Sequence, residues 1–249
     1  MSESDRQLGG IRAVFFDAGF TLIYPDPPLA VRCAEVARAH GLEITVEQMS
    51  RVIPLGEPFF AESLRVAPDI WAAEETVLAF WRRYYGFLYD AAGLPHSPAR
   101  ERVIEALYTL YNEPGAWVLY PDVLPTVETL HARGYRLGVI SDWGVNLASR
   151  VLLPLGLGRF FDFMVVSATV RTAKPHLPLY REALRRAAVP PEAALHIGDN
   201  YIGDVLGARA AGITPVLLDR HRRTTAPDCL VVHSLADLPP LLAERAAAS

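Results

Sequence analysis

The sequence contains little cysteine, and this scarcity excludes two classes of site. Its 249 residues include only two cysteines, Cys33 and Cys229, and neither belongs to a Cys-x-x-Cys pair. The spacing therefore gives no support for a zinc site or for a dithiol redox centre. So few cysteines are typical of a reducing compartment, and we predict a cytoplasmic protein.

An excess of basic charge and a long apolar run are also missing. Lysine and arginine total 24 against 28 aspartates and glutamates, a net charge of −4 that argues against a nucleic-acid partner. The most apolar window, residues 151–170, is interrupted by proline, glycine and charged residues, so we expect no membrane span. The first ten residues contain no apolar stretch, so we expect no signal peptide. With 51% hydrophobic and 21% charged residues, the composition is globular and excludes intrinsic disorder.

Lysine is nearly absent as well, and the exception is informative. Of the 24 basic residues, 23 are arginine, and the only lysine is Lys174. A lysine ammonium is a compact point charge, whereas an arginine guanidinium is a planar fork, so the two are not interchangeable at a site that needs a point charge. The single lysine therefore makes Lys174 a candidate functional residue.

Two patterns of secondary structure divide the chain. A helical pattern fills residues 25–114, with a capping box at Thr45 and Gln48 and with aromatic residues over 69–92 that we expect mainly to pack internally. After residue 115, short apolar strands alternate with helices, which predicts a parallel sheet. We predict an α/β fold, a doubly wound parallel sheet, with a core of residues 1–24 and 115–249 and a helical insert of residues 25–114. The predicted strands cover residues 12–16, 135–140, 161–166, 194–197, 215–218 and 230–232.

Polar side chains stand at or beyond the ends of several predicted strands. They are Asp17, Ser141, Lys174, Asp199 and Asp204. In an open parallel sheet, ligands bind beyond the carboxyl ends of the strands, so we expect these side chains to meet there. Three carboxylates in one cleft repel one another, and oxygen ligands without histidine or cysteine favour Mg²⁺ as the ion that relieves the repulsion. A carboxylate beside such an ion can attack phosphorus, with lysine and serine binding the phosphoryl group.

Four short motifs follow one another along the chain. They are Phe16–Leu22 (FDAGFTL), Val139–Asp142 (VISD), Lys174–Pro175 and Gly198–Asp204 (GDNYIGD). In this order they resemble the haloacid dehalogenase (HAD) superfamily, and the helical insert after the first motif resembles the subgroup with a helical cap at that place. The resemblance implies a Rossmann-like core, a cap that closes over the cleft, and hydrolysis of a small phosphorylated molecule by a monomer or a homodimer.

The resemblance also implies a role for each site residue. The implied catalytic residues are Asp17, as the nucleophile, and Lys174. The implied Mg²⁺ ligands are Asp17, the backbone carbonyl of Gly19, Asp199 and, through a water molecule, Asp204. The residues implied to bind the substrate are Ser141, Asp142, Thr21 and Lys174, with Ser141 and Lys174 on the phosphoryl group and Thr21 supporting the first-motif loop.

The chain departs from the family pattern at Gly19. Family phosphatases usually carry a second aspartate two positions after the nucleophile, as a general acid and base worth about 10²–10⁴-fold in rate. A metal ligand through the backbone survives this change, but the general acid does not. Three consequences stay open. The leaving group needs no protonation, as in an acyl phosphate or anhydride; the cap or the substrate supplies the proton; or activity is slight and the protein mainly binds.

Two other functions also stay open. In the family, metal-independent 2-haloacid dehalogenases lack the second aspartate because halide leaves without a proton, but they also lack the acidic pair that Gly198–Asp204 contains here. That pair favours Mg²⁺ and phosphoryl chemistry. The other alternative is a weakly active or inactive binding protein on the same fold, since fold does not fix function. The intact nucleophile and lysine favour an enzyme, and we predict a hydrolase, specifically a phosphatase.

Overall fold

A computed structural model describes residue 8, residues 10–225 and residues 228–246. The expectation about a signal peptide rests largely on residues 1–7, which lie outside the described residues. The strands are β1 (Ala13–Phe16), β2 (Ile23–Pro25), β3 (Trp117–Leu119), β4 (Arg136–Ser141), β5 (Phe163–Val166), β6 (Ala194–Gly198), β7 (Thr214–Leu218) and β8 (Leu230–Val232). Six of them form one parallel sheet in the order β5-β4-β1-β6-β7-β8. This confirms the predicted doubly wound α/β fold.

The sheet is buried on both faces, which explains why its strands are continuous apolar runs. In β1, Val14 and Phe16 join the hydrophobic core on one face, while Ala13 and Phe15 join the core on the other. All four side chains are fully buried, and their alternation follows the two-residue period of a strand. β1 therefore lies at the centre of the sheet, and its carboxyl end delivers Asp17 to the sheet edge.

The α-helices match the predicted pattern closely. They are α1 (Leu29–Ala39), α2 (Val46–Val52), α3 (Gly56–Val66), α4 (Glu74–Ala91), α5 (Pro98–Tyr111), α6 (Val123–Ala132), α7 (Ser167–Val170), α8 (Leu177–Ala187), α9 (Gly207–Ala210) and α10 (Leu238–Ala246). The capping box at Thr45 and Gln48 is present at the start of α2. Residues Leu147–Leu152 and Tyr201–Leu206 form π-helical segments. Among the described helices, none combines the length and the apolar character that a membrane crossing requires.

Helices α1–α5, here called the helical unit, have a hydrophobic core of their own. Trp71, Phe80, Tyr84 and Tyr85 are buried in it, and the Phe80 ring contacts both Trp71 and Tyr84. The aromatic residues of the predicted insert therefore pack internally, as expected. All the buried residues of this core except Ala173 lie within the predicted insert.

The chain leaves the sheet and returns to it through a small antiparallel pair that the sequence did not predict. β2 pairs with β3, with Ile23 opposite Leu119 and Pro25 opposite Trp117. These two strands flank the helical unit in the sequence, so its two ends lie side by side. The loop that follows β1 is consequently attached to the base of the helical unit.

Arg220 holds the loop between β1 and β2 in place through hydrogen bonds. Its guanidinium donates two hydrogen bonds to the Asp122 carboxylate, at 2.8 and 3.0 Å, and one to the Thr21 carbonyl at 2.8 Å. Asp122 also accepts bonds from Ser234 Oγ and the Leu235 amide. Burial alone would raise the pKa of Asp122, but the bonds from Arg220 and Ser234 outweigh it and hold that pKa below its ordinary value. Asp122 therefore joins three distant parts of the chain as an anion.

Replacing Asp122 by asparagine should lower the free energy of unfolding by about 2 kcal/mol at pH 7, because hydrogen bonds to a charged group are each worth about 1.5–3 kcal/mol. Since folding lowers the pKa of Asp122, its stabilisation is complete above pH about 4 and is lost as the pH falls through the folded-state pKa. Urea denaturation should therefore show the variant and the wild type converging in acid. The exposed pair of Glu128 and Arg159 supplies the control, since Glu128→Gln should change stability by less than about 0.5 kcal/mol. A loss that stays constant down to pH 3 would contradict the electrostatic explanation.

Candidate active site

Three aspartates converge at the carboxyl edge of the sheet. Asp17 follows β1, Asp199 follows β6, and Asp204 lies in the π-helical segment after β6. One oxygen atom from each carboxylate lies within 4.8 Å of the other two. β1 and β6 are adjacent parallel strands, so the fold itself brings their carboxyl ends together.

Lys174 lies among these carboxylates. Its Nζ atom donates to Asp17 Oδ1 and to Asp204 Oδ1, both at 2.7 Å, and its side chain is only 5% exposed. The backbone amide of Lys174 donates to Asp142 Oδ1 at 2.9 Å, which anchors the segment that carries the lysine. The only lysine of the chain is therefore a buried ion-pair partner of two acids.

Burial and charge act in opposite directions on these groups. Burial raises the pKa of Asp17, and Lys174 offsets this only in part. Burial would also raise the pKa of Asp204, but Lys174 and His196 together lower it below its ordinary value. Burial would lower the pKa of Lys174, and the surrounding acids, first Asp17 and Asp204, instead hold it well above its ordinary value. Asp204 and Lys174 therefore form a charged pair at neutral pH.

Ionisation of all three aspartates would leave the site with excess negative charge. Asp199 lies at the solvent-exposed side of the cluster. Partial desolvation of its carboxyl group, together with the charges of Asp17 and Asp204, raises its pKa to about 7. A single ammonium cannot neutralise three carboxylates. Three carboxylate oxygens at this spacing suit a hard divalent cation, so the residues present fit the metal that the sequence predicts.

His196 is a site residue that the sequence analysis missed. It lies in β6, fully buried, and its Nε2 atom is 2.9 Å from Asp204 Oδ1. The other oxygen of Asp204 accepts a bond from the Asn200 amide at 2.9 Å. Asp204 is therefore bonded by three groups, and a histidine inside an otherwise apolar strand was the available signal.

The place where the family's second aspartate would stand faces an indole. A Cβ atom on Gly19 would lie 3.4 Å from Cζ3 of Trp143, whose ring packs edge-on against Trp117. The next residue, Phe20, has a left-handed backbone with φ of 55° and an exposed side chain. An apolar ring therefore lines the position from which a general acid would act.

Of the other predicted substrate-binding residues, Ser141 and Thr21 are buried and Asp142 is half-buried. Ser141 ends β4 beside β1, with 1% exposure. Asp142 accepts the Lys174 amide, and burial raises its pKa to about 7 despite the nearby lysine. Thr21 is fully buried, its Oγ1 has no hydrogen-bond partner in the described part of the chain, and it contacts Arg220 through its carbonyl. Asp142 and Thr21 therefore contribute to the positions of the loops that carry Lys174 and Asp17.

Glu74, at the start of α4, connects the helical unit to the site. Its Oε2 atom accepts the amide of Val145 at 3.0 Å, and its Oε1 atom accepts the Tyr108 hydroxyl. Val145 lies four residues after Ser141, in the loop that follows β4. A Cβ atom on Gly144 would lie 2.7 Å from Glu74 Oε2, so the carboxylate approaches the backbone closely at this glycine. The helical unit is thus bonded to a loop that forms part of the site.

Comparison with known proteins shows what this chain is similar to. Residues 11–212 match a family model described as haloacid dehalogenase-like hydrolase. Haloacid dehalogenase-like hydrolase domain-containing protein 3 of Mus musculus is 32% identical over 241 residues, which cover 93% of this chain and 94% of the mouse protein. Glyceraldehyde 3-phosphate phosphatase of Methanopyrus kandleri is 29% identical over 212 residues, 84% of each chain. The crystal structure of 2-haloacid dehalogenase from Pseudomonas syringae pv. Tomato DC3000 has a TM-score of 0.62 and 26% identity, covering 94% of this chain and 99% of that one.

Replacing Gly198 by alanine should disrupt the site, because a Cβ atom there would overlap the carboxyl group of Asp204. Overpacking of this kind costs about 1–3 kcal/mol, which urea denaturation would measure as a lower free energy of unfolding. Gly115 provides a matched control, since a Cβ atom there meets no atom within 4 Å. Gly115→Ala should leave stability within about 0.5 kcal/mol of the wild type. Equal effects of the two substitutions would show that Asp204 does not lie against Gly198.

Proposed function

This chain belongs to the haloacid dehalogenase-like hydrolases, and we propose that it is a Mg²⁺-dependent phosphatase of a small phosphorylated molecule. The observation that carries the proposal is the bonding of Lys174 to both Asp17 and Asp204, with Asp199 within reach of the same point. The similarity to a glyceraldehyde 3-phosphate phosphatase supports phosphoryl chemistry. The net charge of −4 argues against a nucleic-acid substrate. The two free cysteines fit a reducing compartment, and we extend the proposal to a cytoplasmic location.

In this proposal Asp17 is the nucleophile. Lys174 holds one oxygen of the Asp17 carboxylate and thereby orients the group. The carboxylate attacks the phosphorus atom, a bond forms between them, and the bond from phosphorus to the leaving group breaks. Water then hydrolyses the aspartyl phosphate and restores Asp17. Lys174 and the Ser141 hydroxyl bind the phosphoryl oxygens, whose negative charge the ammonium offsets.

The residues that would hold Mg²⁺ are Asp17, the backbone carbonyl of Gly19, Asp199 and Asp204. When bound, the ion supplies positive charge that reduces repulsion between the carboxylates and the phosphoryl group. The helical unit, within the proposed cap of residues 25–114, covers the cleft, excludes water and selects the substrate. The Glu74 bond to Val145 supports this role, because it ties the helical unit to a loop of the site.

The indole opposite Gly19 bears on which leaving group the site suits. Neither Gly19 nor the facing ring of Trp143 carries a carboxyl group, so no carboxylic acid acts from this position. A substrate whose leaving group needs no protonation, such as an acyl phosphate, suits this arrangement best. The alternative is that the helical unit or the substrate supplies the proton.

A metal-independent 2-haloacid dehalogenase is the second candidate. The structural similarity to such an enzyme and the glycine at position 19 favour it. Asp199 and Asp204 argue against it, because halide displacement has no use for a cluster of metal-binding acids. Release of halide from 2-chloropropionate without metal would support the dehalogenase. A tightly bound ligand with neither activity would support a binding protein.

Replacing Asp17 by asparagine should abolish Mg²⁺-dependent hydrolysis of p-nitrophenyl phosphate, with a loss of at least about 10³-fold in kcat, because no nucleophile remains. The release of p-nitrophenol measures the rate directly. Glu105, an exposed partner of Arg82, supplies the control, and Glu105→Gln should keep full activity. Full turnover by the Asp17 variant would refute the assignment of the nucleophile.

Replacing Gly19 by aspartate should raise the turnover of alkyl phosphates more than that of aryl phosphates. An alkoxide is a poor leaving group and needs a proton, so it gains most from a general acid, by up to about 10²-fold. The added Cβ itself would meet Trp143 Cζ3 at 3.4 Å, and the φ of Gly19 is not in the left-handed region. The measurement compares kcat for glycerol phosphate and p-nitrophenyl phosphate in both proteins. Gly19→Asn, of the same size but without an acid, is the control, and equal gains for both substrates would contradict the missing-acid explanation.

A further inference from the structure

His196 is a buried polar residue with one ring nitrogen left unpaired. Its Nδ1 atom has no hydrogen-bond partner within the described chain, whereas Nε2 lies 2.9 Å from Asp204 Oδ1. Both side chains are fully excluded from solvent. The rest of β6 is alanine, leucine, isoleucine and glycine. An unpaired buried nitrogen costs free energy that an apolar residue would not, so packing alone does not explain a histidine at this place.

The direction of the hydrogen bond follows from the chemistry of its partner. An ionised carboxylate only accepts hydrogen bonds, so Nε2 must carry a proton and donate it to Asp204. Asp204 Oδ1 receives a second bond from Lys174, and Oδ2 receives one from the Asn200 amide. His196 thereby fixes the oxygen that Asp204 shares with Lys174.

A second residue supports the same segment from the same side. The Tyr180 hydroxyl donates to the carbonyl of Gly203, the residue before Asp204, and the Tyr180 ring stands edge-on to His196 with centroids 5.9 Å apart. Gly207 leaves room for this ring, since a Cβ atom there would lie 2.7 Å from Tyr180 Cζ. Tyr180 therefore holds the backbone at Gly203, while His196 holds the Asp204 carboxylate together with Lys174.

We propose that His196 is a positioning residue that sets the orientation of the Asp204 carboxylate toward Lys174 and toward a bound cation. The inference rests on the proposed function, because it assigns His196 to the same site. Without the Nε2 donor, Asp204 keeps its bonds to Lys174 and Asn200, but Oδ1 loses one of its two donors and its direction is set by Lys174 alone. Residues that hold a metal-binding group in place commonly contribute about 10–100-fold to metal affinity or activity.

The test compares His196→Met, which fills the space without a donor, with His196→Gln, whose amide nitrogen replaces Nε2. Calorimetry with MgCl₂ alone gives the Mg²⁺ dissociation constant, and p-nitrophenyl phosphate hydrolysis gives kcat and KM. The methionine variant should bind Mg²⁺ or turn over substrate about 10–100-fold less well, with little change in KM, and glutamine should restore part of the loss. Thr126→Val is the matched control, because Thr126 Oγ1 is also buried and has no hydrogen-bond partner among the described residues, but lies in α6. It should leave all three constants unchanged.

The outcomes separate this inference from the proposed function. Wild-type Mg²⁺ affinity and kcat in His196→Met would overturn the positioning role while leaving the phosphatase intact. Mg²⁺ binding without phosphatase activity in the wild type would refute the function, and the calorimetric comparison would still decide on His196. A wild type that binds no Mg²⁺ would refute both. If the methionine variant does not fold, the tautomer decides: ¹⁵N NMR of the wild type should show His196 protonated at Nε2, and a proton on Nδ1 alone would overturn the inference.

Discussion

The ammonium of Lys174 is the interaction on which the whole site depends. Asp17 and Asp204 each lose most of their hydration at the sheet edge, and their negative charges repel each other. Bonds of 2.7 Å from one Nζ atom to both carboxylates offset this repulsion. Removing one member of a buried ion pair leaves an uncompensated charge, so the three side chains depend on one another for stability. The fold must therefore bring β1, β6 and the Lys174 segment together for any of them to be stable in ionised form.

Small residues and buried polar groups allow Lys174, Asp17 and Asp204 to come together. Gly198 leaves the space that the Asp204 carboxyl occupies. His196 donates to that carboxyl from inside the sheet, and Asp142 holds the backbone of Lys174 from the end of β4. Each of these contacts satisfies a polar group that burial would otherwise leave unpaired. Polar groups around the charged residues thus limit the free-energy cost of burying three ionisable side chains.

The features that could be predicted from the sequence are those determined by short stretches of neighbouring residues. Apolar runs that end in a polar residue located β1, β4 and β6, and the rarity of lysine pointed to Lys174. The features that were missed depend on contacts between distant segments. Trp143 occupies its place because Gly19 and Trp117 adjoin it, and the β2–β3 pair joins residues more than ninety positions apart. The π-helical segments were also not predicted, because their hydrophobic pattern does not differ from that of short α-helices. The division at residues 25 and 114 stays a prediction, although α1–α5 lie inside it.

The contacts of the helical unit explain why chemistry is easier to predict here than the substrate. The proposed catalytic side chains lie at the sheet edge, where the order of the strands brings the carboxyl ends of β1 and β6 together. The helical unit approaches that edge through the β2–β3 pair and through Glu74, which bonds the loop after β4. Trp117, in the strand by which the chain returns from the helical unit, packs on Trp143, and Trp143 in turn covers the position opposite Gly19. Whatever group departs from phosphorus must therefore fit against surfaces that the helical unit supplies or supports. The aromatic residues that form those surfaces follow no fixed spacing along the sequence. The sequence therefore indicates the reaction class but does not indicate the leaving group.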